Sequence, residues 1–250
     1  MKPFKTAANF LAPIRAANLI QLDVYTDTRN FIHIWLPENY GKSPNDCCTF
    51  DRSEDRHFFM DGDTQVNTLT RPGIFEIRGE VIPIENGVDL KLTISNLSDE
   101  PLPESIAGVC IQFAAAPSFT DTTLERYFYV HEDEITFAQP PYQDYDHGHA
   151  WFWGTLPNET HKHNPPAELG FIGLASRDGN WVIGHGWENG SSICGNCHPT
   201  IACIHADPLM PEIPPGETVS TKGVLYIMEG NPESCLERYR NEFLESTKST

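Results

Sequence analysis

Seven of the ten histidines, His147, His149, His161, His163, His185, His198 and His205, fall between positions 147 and 205, together with Trp151, Trp153, Trp181 and Trp187. Imidazole carries protons or binds metals near neutral pH, and indole faces are flat apolar platforms of the kind that stack on sugar rings. Two runs concentrate them: Tyr145-Asp146-His147-Gly148-His149-Ala150-Trp151-Phe152-Trp153 and Thr160-His161-Lys162-His163-Asn164-Pro165-Pro166. In an extended chain alternate residues share one side, so each His-x-His presents two imidazoles together, a spacing that suits a divalent metal. His147, His149, His161 and His163 are therefore candidate ligands for zinc, manganese or calcium. The competing reading is of solvated loop histidines and core tryptophans.

His185-Gly186-Trp187-Glu188 closes one predicted strand and Ile204-His205-Ala206-Asp207-Pro208 another, so each ends on a histidine beside a carboxylate. Strand ends over a rigid sheet are where sites are commonly built, and such a pair suits general acid–base work. His147, His149, His185, His205 and Asp207 are the expected proton-transfer groups. The alternative for the last pair is a ring satisfied by a backbone carbonyl and an aspartate capping the turn before Pro208. Trp151, Trp153, Trp187 and Tyr145 would wall a bound sugar. Arg126 could grip a substrate carboxylate by a two-pronged contact, or pair with Glu125 or Asp121. Cys194-Gly195-Asn196-Cys197-His198 has the spacing of a haem attachment but lies between strands, so no haem is expected. Together with Cys203 and His205 it would supply thiolates and imidazoles to a tetrahedral zinc, against the commoner role of such cysteines as small buried apolar groups. The chain has no phosphate-cradling glycine loop and no dinucleotide fingerprint, so no nucleotide cofactor is expected.

These residues must be positioned by a chain of 250 residues whose 35 acidic and 17 basic side chains give a formal charge of −18. That charge repels polyanions and excludes a general nucleic-acid binder. No uncharged apolar run approaches the ~20 residues of a membrane-spanning helix. Asn9, Pro13 and Arg15 interrupt the segment after the basic start, so no secretory apolar region forms. Seven cysteines, an odd number, fit a reducing compartment, and the cytoplasm is the expected location.

With 18 glycines and 20 prolines, the composition favours turns and short strands over long helices. Phe31 to Leu36 reads as a strand closed by a turn at Pro37 to Gly41, and the polar stretch from Asp46 to Asp63 as a long loop. Ile74 to Ile84 and Val88 to Ser95 form a hairpin across Glu85-Asn86-Gly87, since Asn and Gly tolerate positive φ, with Val88, Leu90, Leu92 and Ile94 on one buried face. Further strands are expected at Val109 to Phe113, Tyr127 to Val130, Thr200 to His205 and Lys222 to Met228. A second hairpin joins Phe171–Ser176 to Trp181–His185. Regular short strands with turn punctuation give an all-β antiparallel sandwich. The one expected helix, 232–246, has Asn231 as cap, Pro232 in its first turn, and an apolar stripe of Leu236, Tyr239, Phe243 and Leu244. No linker divides the chain, so a single domain over 1–250 is expected.

The stretch Gly87-Val88-Asp89-Leu90-Lys91-Leu92-Thr93-Ile94-Ser95-Asn96-Leu97-Ser98-Asp99-Glu100-Pro101-Leu102-Pro103, with Pro214-Pro215-Gly216-Glu217 before the strand ending Leu225-Tyr226, resembles the galactose mutarotase-like β-supersandwich superfamily. There a strand ends in an Asn-x-Ser-x-x-Pro-Leu turn, and a Pro-Gly-Glu turn leads into a late strand. The resemblance covers roughly residues 74–230. It implies a sugar-binding sandwich and, in the aldose epimerases of that group, a histidine pair and a carboxylate that open and close the ring. Where those enzymes carry a His-Pro-Tyr-Phe-like segment, this chain reads Val109-Cys110-Ile111-Gln112-Phe113-Ala114, without histidine, and fold-level analogy does not fix an activity.

The expectation is a carbohydrate-active enzyme, a lyase, hydrolase or isomerase, working through a His/Asp site walled by tryptophans and assisted by a divalent metal. Competing with it are a non-catalytic carbohydrate-binding or assembly module and a cupin-like metal-dependent enzyme on a small polar substrate. The His-x-His runs, of little use to a pure binding module, favour the enzyme. The expected partner is a carbohydrate or other small polar ligand, not nucleic acid or membrane. The aromatic loops could also form a dimer interface, which makes a homo-oligomer a candidate state.

Overall fold

A computed structural model describes residues 4–8, 18–22, 30–43, 46–49, 56–139, 151–155, 159–160, 164–197 and 202–247, with side chains placed within 30–42, 56–139, 164–197 and 202–246. Two 9-stranded sheets carry these residues. From edge to edge, the first runs β1 (Phe4–Ala8), β2 (Asn18–Leu22), β3 (Asn30–Ser43), β9 (Ser105–Gln112), β17 (Cys203–Met210), β16 (Gly190–Asn196), β12 (Trp151–Thr155) and β13 (Glu159–Thr160), with β4 (Asp46–Thr49) paired to β3. The second runs β11 (Glu134–Phe137), β10 (Tyr127–His131), β14 (Phe171–Ala175), β15 (Trp181–Trp187), β18 (Thr218–Glu229), β8 (Gly87–Asn96), β7 (Phe75–Ile84), β6 (Thr64–Arg71) and β5 (Arg56–Asp61).

The period-2 alternation of the strands decides what lies between the sheets. Val88, Leu90, Leu92 and Ile94 of β8 are buried in the same cluster as Ile32 and Ile34 of β3, Val109 and Ile111 of β9, and Ile204, Ala206 and Met210 of β17. The two sheets therefore pack face to face as an antiparallel sandwich. On β17 and β9 the intervening residues, Cys203, His205 and Asp207 on one strand and Cys110 and Gln112 on the other, belong to the opposite, outer face.

A helix covers the outer face of the second sheet. Asn231 accepts a hydrogen bond from the Ser234 amide at 2.9 Å and Pro232 opens α1 (Pro232–Arg238), which continues in a wider turn over Tyr239–Leu244. Leu236, Tyr239 and Phe243 pack with Phe171, Val182, Val224 and Tyr226, and the Tyr239 ring stacks on Phe171 at 4.6 Å. Gly186 makes this close approach possible, because a Cβ there would sit 2.6 Å from the Tyr239 ring. Among the described residues no helix is long and apolar enough to cross a membrane.

The two turn motifs of the sequence meet in space. Asn96 donates from Nδ2 to the carbonyls of Glu100 and Ile213, and its Oδ1 accepts from the Ser98 amide. Its own backbone exchanges hydrogen bonds with Gly216 and Glu217 of the Pro-Gly-Glu turn, where Gly216 takes φ 74°. One side chain thus ties the end of β8 to the start of β18.

Three expectations need correction. The polar stretch from Asp46 to Asp63 holds two strands, β4 and β5. β5 is an edge strand whose side chains are mostly exposed, so it lacks the apolar face by which strands are recognised. β3 does not stop at Pro37; its register against β9 shifts between Trp35 and Asn39, and the extra residues form a bulge. β17 continues through Pro208 to Met210 with partners resuming at Leu209, so Asp207 lies mid-strand and caps no turn. Proline only removes one donor from the ladder there.

Candidate active site on the outer face of the first sheet

Five neighbouring strands line up their residues in two rows. Across β3, β9, β17, β16 and β12, one row reads Trp35, Cys110, His205, Cys194 and Trp153, and the other His33, Gln112, Cys203, Asn196 and Trp151. Directly paired residues of an antiparallel sheet lie about 5 Å apart, so each row gathers groups distant in sequence.

His205 is at the centre. Its Nδ1 lies 3.4 Å from Asp207 Oδ1 and its Nε2 3.7 Å from Glu38 Oε2. Asp207 is itself fixed: Oδ1 accepts from the Val109 amide at 2.8 Å and Oδ2 from Ser192 Oγ at 3.1 Å. Glu38 comes from the β3 bulge, whose Pro37 carbonyl accepts a hydrogen bond from Arg56 Nη2 at 2.5 Å. Beside the ring are two thiols; the ligating atoms of Cys110, Cys203 and His205 all lie within 4.8 Å of one another. Trp35 forms one buried cluster with the two cysteines and is paired directly with Cys110. Trp35 Nε1 and Gln112 Oε1 are buried and have no hydrogen-bond partner among the described residues.

The electrostatics follow from burial set against these contacts. Burial works against a charged His205, but Asp207 and Cys203 outweigh it and hold the ring well above the ordinary histidine value. Contact with Cys110 draws Cys203 below the usual thiol range against the effect of burial, with His205 adding to the shift. Burial pushes Cys110 up, and it pushes Cys194 up to about 12. The contacts within the cluster therefore shift the proton toward His205 and away from Cys203.

The structure brings His205 and Asp207 together as expected but separates other expected members. His185 is fully buried on β15 of the other sheet. Its Nδ1 donates to the Val224 carbonyl at 3.0 Å and its Nε2 accepts from Trp187 Nε1 at 3.3 Å, which fixes a neutral ring. Burial lowers its titration to about 4. It lies in the sandwich interior, paired with Ile172 of the core, whereas His205 is on the outer face. Trp187, only 1% exposed, is part of the main core and is no sugar platform. Arg126 donates to the carbonyls of Ala175 at 2.6 Å, Thr120 at 2.7 Å and Phe119 at 3.2 Å, so it clamps loops rather than offering its guanidinium to a substrate. Cys197 belongs to the main core, whereas Cys203 clusters with Trp35 and Cys110. His147, His149, His161, His163, His198 and Tyr145 lie outside the described residues, and Trp151 and Trp153 are placed by backbone register alone.

Cys110, Glu38, Trp35 and Gln112 are members that sequence reasoning missed. Alternation with Val109 and Ile111 sets Cys110 and Gln112 off the core side, but nothing local says that β9 lies beside β17. Glu38 depends on a bulge that reads in sequence as a turn.

No family model matches the chain, and no curated protein matches it. Solved structures do share its fold. A galactose mutarotase related enzyme from Lactobacillus acidophilus aligns over 92% of this chain and 98% of its own, with 10% identity and a TM-score of 0.53. A protein from Synechocystis sp. PCC 6803 aligns over 92% and 97% with 9% identity and a TM-score of 0.51. A protein assigned as an aldose 1-epimerase from Escherichia coli K12 aligns over 91% and 99% with 11% identity and a TM-score of 0.50. The chain shares the β-sandwich fold of these structures, and the likeness extends well beyond the residues 74–230 that carry the sequence resemblance.

Proposed function

We propose that this chain, built on the galactose mutarotase-like fold, is a carbohydrate-active enzyme of the isomerase type that binds a free sugar over the outer face of its first sheet. The observation that carries the reading is the His205 ring set between two carboxylates, Asp207 at Nδ1 and Glu38 at Nε2. With Asp207 held by Val109 and Ser192, the ring is oriented with Nε2 toward the side where Glu38 stands.

Ring opening of an aldose needs one proton given and one taken. His205 would give a proton to the ring oxygen as the bond from the anomeric carbon to that oxygen breaks and its electron pair moves onto oxygen. Glu38 would take the proton of the anomeric hydroxyl, whose electrons form the carbonyl. Closure on either face reverses both transfers, so protons balance over the cycle. A sugar hydroxyl both accepts and donates, which suits Trp35 Nε1 and Gln112 Oε1. Trp151 and Trp153, in register with Asn196 and Cys194, are the proposed stacking residues.

Exchange NMR on a panel of free aldoses, D-glucose and D-galactose among them, tests this reading. Wild-type protein should accelerate anomer interconversion of at least one aldose. His205→Gln and Glu38→Gln should each lose on the order of a hundredfold of that acceleration, the usual contribution of a general acid or base. Equal rates in wild type and both variants would remove these residues from the chemistry.

A further inference from the structure

We propose that Cys110, Cys203 and His205 form a binding site for a thiophilic divalent cation, zinc by its chemistry. Two sulfurs and one imidazole nitrogen are supplied by adjacent strands, with Cys110 directly opposite His205 and Cys203 two residues along β17. Their ligating atoms lie within 4.8 Å of one another. A tetrahedral zinc with sulfur at ~2.3 Å and nitrogen at ~2.0 Å needs ligand atoms roughly 3.5–3.8 Å apart, so side-chain rotations of about 1 Å close the site.

The surroundings are those of a metal-ligating histidine. Asp207 faces Nδ1 and is itself anchored by the Val109 amide and Ser192 Oγ, leaving the other ring nitrogen for the ion. Such a carboxylate fixes tautomer and ring orientation. Trp35 covers the thiols from one side. Cys194, opposite His205 on β16, and Glu38 Oε2, 3.7 Å from Nε2, border the fourth coordination position. A donor set of two sulfurs and one nitrogen selects zinc over manganese or calcium, which prefer oxygen. Binding needs both sulfurs as thiolates and the ring neutral, so whatever protons Cys110, Cys203 and the ligating ring nitrogen carry go to solvent.

The site does not depend on the sugar reading, and the two uses of His205 belong to different states of the protein: a ring nitrogen bound to metal has no lone pair for proton exchange, so the metal-free form is the one that would turn over sugar. The test therefore reads the metal and not turnover. Protein made without a histidine tag and stripped with chelator is titrated with cobalt. One equivalent should produce a thiolate-to-cobalt charge-transfer band in the near ultraviolet, and zinc should displace it. Cys110→Ser and Cys203→Ser should each weaken the band and the double variant should abolish it. Cys235→Ala, at a thiol buried under the C-terminal helix, should keep it. Asp207→Asn should retain the band with cobalt affinity lowered roughly tenfold to a hundredfold. Far-ultraviolet circular dichroism confirms that each variant is folded. The inference is overturned if folded wild-type protein gives no thiolate band, as it would if cobalt sat on histidines alone, or if the double variant keeps the band.

Discussion

Replacing His185 with glutamine should flatten the acid side of the stability profile. His185 is wholly buried, and that burial outweighs the contact with the Val224 carbonyl, which acts the other way, and lowers its titration to about 4. The same ring in the unfolded chain titrates near ~6.5. Between these values the unfolded state binds a proton that the folded state refuses. Stability is therefore complete above about pH 6.5 and declines as pH falls toward 4. A separation of about 2.5 units, at about 1.36 kcal/mol each, amounts to roughly 3 kcal/mol over the whole window. About 1.4 kcal/mol of that is lost by about pH 5.5, before most carboxylates titrate. Urea unfolding of wild type and His185→Gln near pH 7.5, 6.5 and 5.5 reads it directly. The variant starts from lower stability because Trp187 Nε1 and the Val224 carbonyl lose their imidazole partner, but only the slopes are compared. Groups that do not interact with His185 cancel in the difference, which retains only the ring itself and its coupling to Asp207 and His205. The wild type should lose about 1.4 kcal/mol more than the variant across this range. Parallel curves would refute the assignment of His185 as a neutral interior ring.

Other changes probe how the frame is held. Asn96→Ala removes the side chain that bonds Glu100, Ile213 and Ser98, and should cost about 2–4 kcal/mol in urea unfolding, at roughly 1 kcal/mol for each bond plus the stranded carbonyls. Arg126→Met strands three loop carbonyls and should lower the unfolding midpoint while leaving the affinity for any sugar unchanged; a selective loss of affinity would return Arg126 to the site. Asn231→Ala removes the helix cap and should cost about 1 kcal/mol, visible as lower thermal stability.

The β7–β8 hairpin and the C-terminal helix are legible in the sequence because their signals are local. Alternating apolar residues flank an Asn-Gly turn in which Asn86 takes φ 56°, and a capping asparagine precedes proline and an apolar stripe. β5 is not legible, because an exposed edge strand has no buried face to announce it. The pairing of His205 with Asp207 is legible because both lie at alternate positions of one strand. Its completion by Glu38 and Cys110 is not, since it depends on β3 and β9 lying next to β17 and on a bulge at Pro37. The separation of His185 from His205 has the same cause. Each alternates correctly within its own strand, but local pattern does not say which sheet a strand joins or which of its faces meets the core.

The indole N–H of Trp35 gives the most direct test of sugar binding on the outer face of the first sheet. The chain has five tryptophans, and their indole signals in nitrogen-15 correlated NMR spectra can be assigned with Trp35→Phe and Trp187→Phe. On titration with an aldose whose anomers the protein interconverts, the Trp35 signal should shift with saturation as a hydroxyl takes up its buried donor, while that of Trp187, bonded to His185 in the interior, stays fixed. A Trp35 signal that does not move at saturating sugar would place the ligand elsewhere and contradict the account.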